Sequence, residues 1–357
     1  MNATISGTDI SLPARRAVGW WLFCIALLVA AMVVLGGLTR LTGSGLSITE
    51  WKPVSGVIPP LTEQAWQAEF ANYQKIPQYW RENRGMDLAQ FKSIFWWEWA
   101  HRLLGRLVGV AFLLPFIGFA ATGAIPRREW PRMLLLFALG GLQGAVGWWM
   151  VQSGLETRVS VSQYRLAIHL GFAIILFGAL LWTGLEYLRG APSDRQNKQS
   201  NMRLPALALA GLIYVQMLLG AIVSGLHAGL IYNTWPSMNG RLIAEDAFAL
   251  QPWWKNFFEN PGLAQFDHRC VAYIVAAGSV LFWFMARSGG GERVRTSSNA
   301  LMIVVLVQIV LGIATLLNEV PIALAALHQT TAVALFAVAL WNAFEAAAIP
   351  TGMIRDK

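Results

Sequence analysis

The chain has 357 residues, 56% of them hydrophobic and 13% charged; with 17 tryptophans and a mean hydropathy of +0.49 it lies outside the range of soluble domains and belongs among polytopic membrane proteins. The 27 Lys and Arg against 19 Asp and Glu leave a net charge of +8, which short cytoplasmic loops carry as orientation signal, so the excess does not point to nucleic acid. With only Cys24 and Cys270, the sequence has neither a disulfide framework nor a Cys-x-x-Cys motif.

In chain order, apolar windows long enough to cross a hydrocarbon layer of about 30 Å fall near 17–39, 96–121, 132–151, 165–188, 204–226, 267–286, 300–317 and 323–347. They predict an all-α polytopic membrane protein with eight transmembrane helices. The first follows Arg15 and Arg16; its apolar run exceeds a signal-peptide core and no small-x-small cleavage site follows, so it reads as a retained anchor. Arg127, Arg128, Arg132, Arg189, Arg195, Lys198, Arg203, Arg287, Arg293, Arg295, Arg355 and Lys357 place both termini in the cytoplasm. Two long loops, about 40–95 and 227–266, then form an external cap.

The two halves, 1–190 and 191–357, repeat one another. Gly36, Gly45, Leu46, Trp51, Pro53 and Gly56 match Gly220, Gly229, Leu230, Trp235, Pro236 and Gly240; farther on, Ala100-His101-Arg102 matches Asp267-His268-Arg269, and His169 matches His328. Each half holds four helices, an even number, so both enter from the same side. They are expected to form two tandem four-helix bundles related by a pseudo-two-fold axis along the membrane normal.

Ionisable groups inside a membrane are costly and are functional candidates by default. His101, His169, His268 and His328 each fall near the outer start of an even-numbered helix, forming two equivalent pairs that can face one another across a bundle core. Two imidazoles with no thiolate or carboxylate cluster suit haem, whose porphyrin fills the equatorial positions and leaves the axial ones; zinc requires three or four protein ligands. The plainer alternative is a hydrogen-bonding histidine at a helix end, which four histidines in duplicated register make less economical. Glu98 shares a helical face with His101 and lies one turn from Arg102, whereas Gln265 stands at the matching place in the second half. This asymmetry suggests a reactive first half and a structural or electron-transferring second half. Arg102 and Arg269 suit haem propionates, with headgroup snorkelling as the alternative. A Gln-x-x-x-Gly pattern at Gln143/Gly147, Gln216/Gly220 and Gln308/Gly312, with Met32/Gly36 in the first helix, reads as close helix packing, with room for a flat cofactor as the alternative. His227 has no histidine counterpart and reads as a non-ligand. Cys24 and Cys270 read as packing residues.

The strings TRLTGSGLSITEWKPVSGVIPPL (39–61), WEWAHRLLGR (97–106), HAGLIYNTWP (227–236) and FDHR (266–269), in this duplicated frame, resemble the haem A synthase family of mitochondria and proteobacteria over nearly the whole chain. The resemblance implies oxidation of a ring methyl of haem O to the formyl group of haem A, by successive hydroxylations and loss of water, for aa3-type cytochrome oxidase. It assigns Glu98, His101 and His169 to the substrate haem and its chemistry, and His268 and His328 to a haem b cofactor. It implies a multi-pass protein of the bacterial inner (plasma) membrane that works with haem O synthase, oxidase assembly factors and an electron donor. A homo-oligomer is compatible with it. The family's Gram-positive branch carries an external cysteine pair that this chain lacks, so thiol chemistry is not expected. A dihaem b-type, quinol-linked electron-transfer protein is the competing class; the Glu98/Gln265 asymmetry and the long external loops favour an enzyme. Spacing leaves Glu98 open as a base, a charge stabiliser or an occasional ligand; of these, stabilisation of positive charge developing on the substrate is the expected role.

Overall fold

The computed structural model describes residues 11–190, 196–197, 202–347 and 349–350. Among these residues, eight helices are long and apolar enough to cross a membrane. They are α1 (Leu12–Leu41), α4 (Leu88–Ala121), α5 (Trp130–Leu155), α6 (Gln163–Arg189), α7 (Arg203–Gly225), α9 (Pro261–Gly289), α10 (Glu292–Leu317) and α11 (Ile322–Ala346). All eight expected spans are present. Arg195, Lys198, Arg355 and Lys357 lie outside the described residues.

Local signals set the helix ends more than hydropathy does. Asp87 and Gln90 form a reciprocal capping box, each side chain accepting from the other's backbone N–H, at 2.8 and 3.0 Å. This starts α4 eight residues before its apolar window. Asn260 accepts from the backbone of Leu263 at 3.0 Å and starts α9 early in the same way. As a correction to the sequence expectation, His101 therefore lies not in the first turns of its helix but roughly 20 Å from its start, at 1.5 Å per residue. The other three histidines lie within about two turns of theirs.

Within the first half, α1 packs on α4 and α6, and α5 packs on α4 and α6; in the second, α7 packs on α9 and α11, and α10 packs on α9 and α11. Between the halves, α6 meets α7, α1 meets α11, and α6 meets α11. Exchanging α1, α4, α5 and α6 with α7, α9, α10 and α11 returns the same contacts, consistent with the expected pseudo-two-fold arrangement. The shared core is built mainly from α1, α6, α7 and α11 around Leu22, Ile25, Ile174, Leu180, Ile213 and Phe344. Polar ties cross the same interface. Gln329 donates to the Val33 carbonyl at 2.6 Å, and it fits because Gly37 has no side chain: a Cβ there would stand 2.1 Å from Gln329 Oε1. At the opposite membrane face Arg189 pairs with Glu345.

The stretches read as long loops are folded caps. The first holds α2 (Glu63–Tyr73) and α3 (Pro77–Arg81), which close over a core of Leu46, Trp66, Phe70, Tyr73, Tyr79 and Phe91. The second is smaller, with the short α8 (Asn256–Glu259) and a cluster of Met238, Ala244, Ala247 and Leu263. Tyr164, at the start of α6, donates to Glu259 at 2.9 Å and ties the first half to the second cap. A two-residue parallel pair joins Gln196–Asn197 to Ile349–Pro350. Contrary to the packing expectation, Cys24 is exposed on the outside of α1. A lipid-facing helix side is as apolar as the core, so apolarity alone does not tell inside from outside.

Candidate functional site

Each of the four histidines lies against a glycine of the preceding membrane-spanning helix. A Cβ at Gly36 would stand 3.0 Å from His101 Cε1, at Gly147 2.9 Å from His169, at Gly220 3.2 Å from His268, and at Gly312 2.8 Å from His328. Any side chain at these positions would push the imidazole away. The glycine of the Gln-x-x-x-Gly pattern is thus a seat for a ring, beyond the close helix packing read from the sequence.

The glutamine one turn earlier reaches the same ring. Gln143 Nε2 lies 3.1 Å from His169 Nδ1 and donates to the His169 carbonyl at 2.9 Å. Gln216 repeats both contacts with His268 at the same distances. Gln308 Nε2 lies 3.4 Å from His328 Nε2. Sequence reasoning missed these three glutamines as site residues, although their common register with the glycines was the available signal. All four imidazoles are half-buried.

Two of the four histidine-bearing helices, α4 and α9, are pinned to the caps by arginines. Arg102 donates through Nε to Glu98 Oε1 at 2.7 Å, through Nη1 to the Glu50 carbonyl at 3.0 Å, and through Nη2 to the Ile48 carbonyl at 2.7 Å. Arg269 is its counterpart, donating to Gln265 Oε1 at 2.9 Å and to the carbonyls of Tyr232, Pro236 and Ser237 at 3.0 to 3.3 Å. The intrahelical Glu98–Arg102 pair is formed, and Glu98 is buried. Arg106 adds a second clamp in the first half only, donating to the carbonyls of Lys52 and Pro53, both at 2.8 Å. Lys52 donates to Glu50 at 2.6 Å and to Glu69 at 3.0 Å, and these hydrogen bonds, the one to Glu50 foremost, raise its pKa. His227 stands apart from both pairs: its Nε2 lies 2.6 Å from Nη2 of Arg40, which also donates to the Ser224 carbonyl at 2.8 Å. Desolvation, followed by the Arg40 charge, pushes His227 down to about 4.

Among the described residues no three His, Cys, Asp or Glu side chains converge. The donor sets are imidazole pairs, which fit a metal whose remaining positions are filled by a macrocycle. Buried atoms without partners support that fit: Nδ1 of His101 and of His328, and Oε1 of Gln143, Gln216 and Gln308. An imidazole that ligates through Nε2 carries its proton on Nδ1, and an amide oxygen alongside can accept it.

A duplicated membrane bundle with one glycine-seated imidazole pair per half, and with a buried glutamate, Glu98, in the first half where the second has Gln265, defines the class. The chain belongs to the COX15-CtaA family of cytochrome oxidase assembly proteins, whose profile matches residues 19–340. It is 50% identical over 328 residues to the heme A synthase of Parvibaculum lavamentivorans, covering 92% of this chain and 94% of that protein. It is 51% identical over 330 residues to the heme A synthase of Bradyrhizobium sp. strain ORS 278, covering 92% and 90%. The heme A synthase of Azorhizobium caulinodans is 47% identical over 341 residues, covering 95% and 97%.

Proposed function

We propose that this chain is an oxidoreductase that converts haem O to haem A, oxidising a ring methyl to formyl by successive hydroxylations and loss of water. The observation that carries this reading is the pair of equivalent imidazole sites, of which only the first has a buried carboxylate, Glu98, on the helix face of one of its histidines. Residues 1–190 hold the substrate between His101 and His169; residues 191–357 hold haem b between His268 and His328.

Haem b, when bound, supplies one-electron transfer. The protein supplies position and charge. Glycine seats set the ring planes, glutamines restrain three of the four rings, and the caps close the outer ends of both bundles. Glu98, held through Oε1 by Arg102, presents negative charge on the His101 face, where it stabilises positive charge developing at the substrate edge. Arg102 also pins the first cap through the Ile48 and Glu50 carbonyls, so the carboxylate and the lid over it are positioned by one guanidinium. Gln265 and Arg269 keep this architecture in the second half without the charge.

The protein resides in the bacterial inner membrane with both termini in the cytoplasm, receives haem O from haem O synthase, and passes haem A to oxidase assembly. The test is to purify the protein, supply haem O, and identify extracted haems by mass beside the absorption spectrum. Haem A and its hydroxylated precursor support the assignment. Bound haem b with unchanged haem O would instead identify a dihaem electron-transfer protein.

A further inference from the structure

We infer that His101 is the exchangeable axial position of the first site and His169 the fixed one, and that Gln143 and Met32 set this difference as positioning residues. The inference rests on the reading above that substrate haem binds between these two histidines.

The duplication supplies an internal control. Four equivalent positions, each one turn before a histidine-seating glycine, carry Met32, Gln143, Gln216 and Gln308. Three are amides within 3.1 to 3.4 Å of a ring nitrogen of their histidine, and two of these also hold its carbonyl. Met32 breaks the pattern. Its thioether cannot donate and accepts only weakly, and its methyl lies where a Cβ on Gly105 would be 3.5 Å away; His101 Nδ1 is buried without a partner, as is His328 Nδ1, but only His101 lacks an amide beside its ring.

A hydrogen bond to the second ring nitrogen fixes the tautomer and orientation of a ligating imidazole and raises its basicity; its loss typically costs about 10- to 100-fold in metal affinity. In each amide the Oε1 is free, so rotation about the terminal torsion presents an acceptor to a proton on Nδ1. The carbonyl that gives up Gln Nε2 retains its helical N–H donor. In the second site Gln216 lies at Nδ1 of His268 and Gln308 beside the His328 ring at Nε2, so each ring has an amide neighbour, which suits a resident cofactor that must stay. One amide and one thioether suit a substrate that must be released after each turnover. The unrestrained histidine also lies on the helix face that carries Glu98.

The experiment uses full-length protein loaded with haem O. It follows transfer of haem O to excess apomyoglobin, with haem b in the second site as internal reference, and records the low-spin fraction spectroscopically. Met32→Gln is expected to slow haem O release about tenfold and raise the low-spin fraction, and Gln143→Met to speed release about tenfold. Gln216→Met is expected to speed loss of haem b and leave haem O release unchanged. Unchanged release and spectrum in Met32→Gln and Gln143→Met would overturn the inference, as would equal effects of all three variants on both haems. Failure of the underlying reading has a separate signature: His101→Ala and His169→Ala would then load haem O as the parent does.

Discussion

Gly147→Ala places one methyl group against His169. The added Cβ would stand 2.9 Å from Cε1 of the ring, whereas ordinary contact begins near 3.4 Å, so the imidazole must move by at least 3.4 − 2.9 = 0.5 Å. A 1 Å misplacement at a reacting centre costs about 100-fold, so half that displacement is expected to lower haem O conversion about tenfold. Helix propensity acts in the opposite direction: alanine replaces glycine inside α5, a gain of about 0.5–1 kcal/mol. The expected signature is therefore a melting temperature unchanged or slightly raised, with impaired haem binding and turnover. Gly220→Ala is the control expected to spare haem O binding, because its Cβ would stand 3.2 Å from His268, in the haem b half, and require a shift of only 0.2 Å. Absorbance titration with haem O, mass analysis of the products and thermal unfolding in the same detergent read all three quantities. Parental binding and turnover in Gly147→Ala, or equal damage from Gly220→Ala, would refute the seating role of the glycines.

Glu98→Gln reproduces the polar pair that the second half already uses between Gln265 and Arg269. The variant is expected to fold and bind haem O but to lose about 100-fold or more in formation of hydroxylated haem; normal haem A yield would refute the charge role. Arg102→Ala leaves a buried carboxylate without its counter-ion and should cost about 3–5 kcal/mol in unfolding free energy. Arg269→Ala leaves a neutral amide and should cost about 1–3 kcal/mol; denaturant titrations giving equal losses would contradict this. His227 titrates near 6.5 when unfolded but is pushed down to about 4 in the fold, so folding resists its protonation. Its contribution is steady above pH 6.5 and is lost as pH falls toward 4. His227→Asn should flatten that part of the pH profile of the unfolding midpoint, and identical profiles for variant and parent would count against it.

Much of the architecture is legible in the sequence because membranes impose length and apolarity on every span. The duplicated register of His101, His169, His268 and His328 is also legible without coordinates, and the structure gives each of them the same glycine seat. The caps escaped as folded units because α2 and α3 are short and their core residues are dispersed, from Leu46 to Phe91. The glutamines escaped for a different reason. Spacing of four residues says that Gln143 and Gly147 share a helix face, but not that the face meets an imaginary neighbour's surface or the actual ring of His169. Cys24 marks the same limit, since the outward face of α1 is as apolar as its inward face.

The sequence by itself determined the number of spans and the family, and it supplied the duplicated register, the paired histidines and the Glu98/Gln265 asymmetry as expectations. These depend on properties summed along the chain or repeated within it. The tertiary structure decided which faces meet: imidazoles on glycines, amides on three rings but not the fourth, and Arg102 and Arg269 on cap carbonyls. The physical reason is that each helix's rotation about its own axis follows from close packing with its neighbours, and hydropathy is nearly blind to that rotation inside a bilayer.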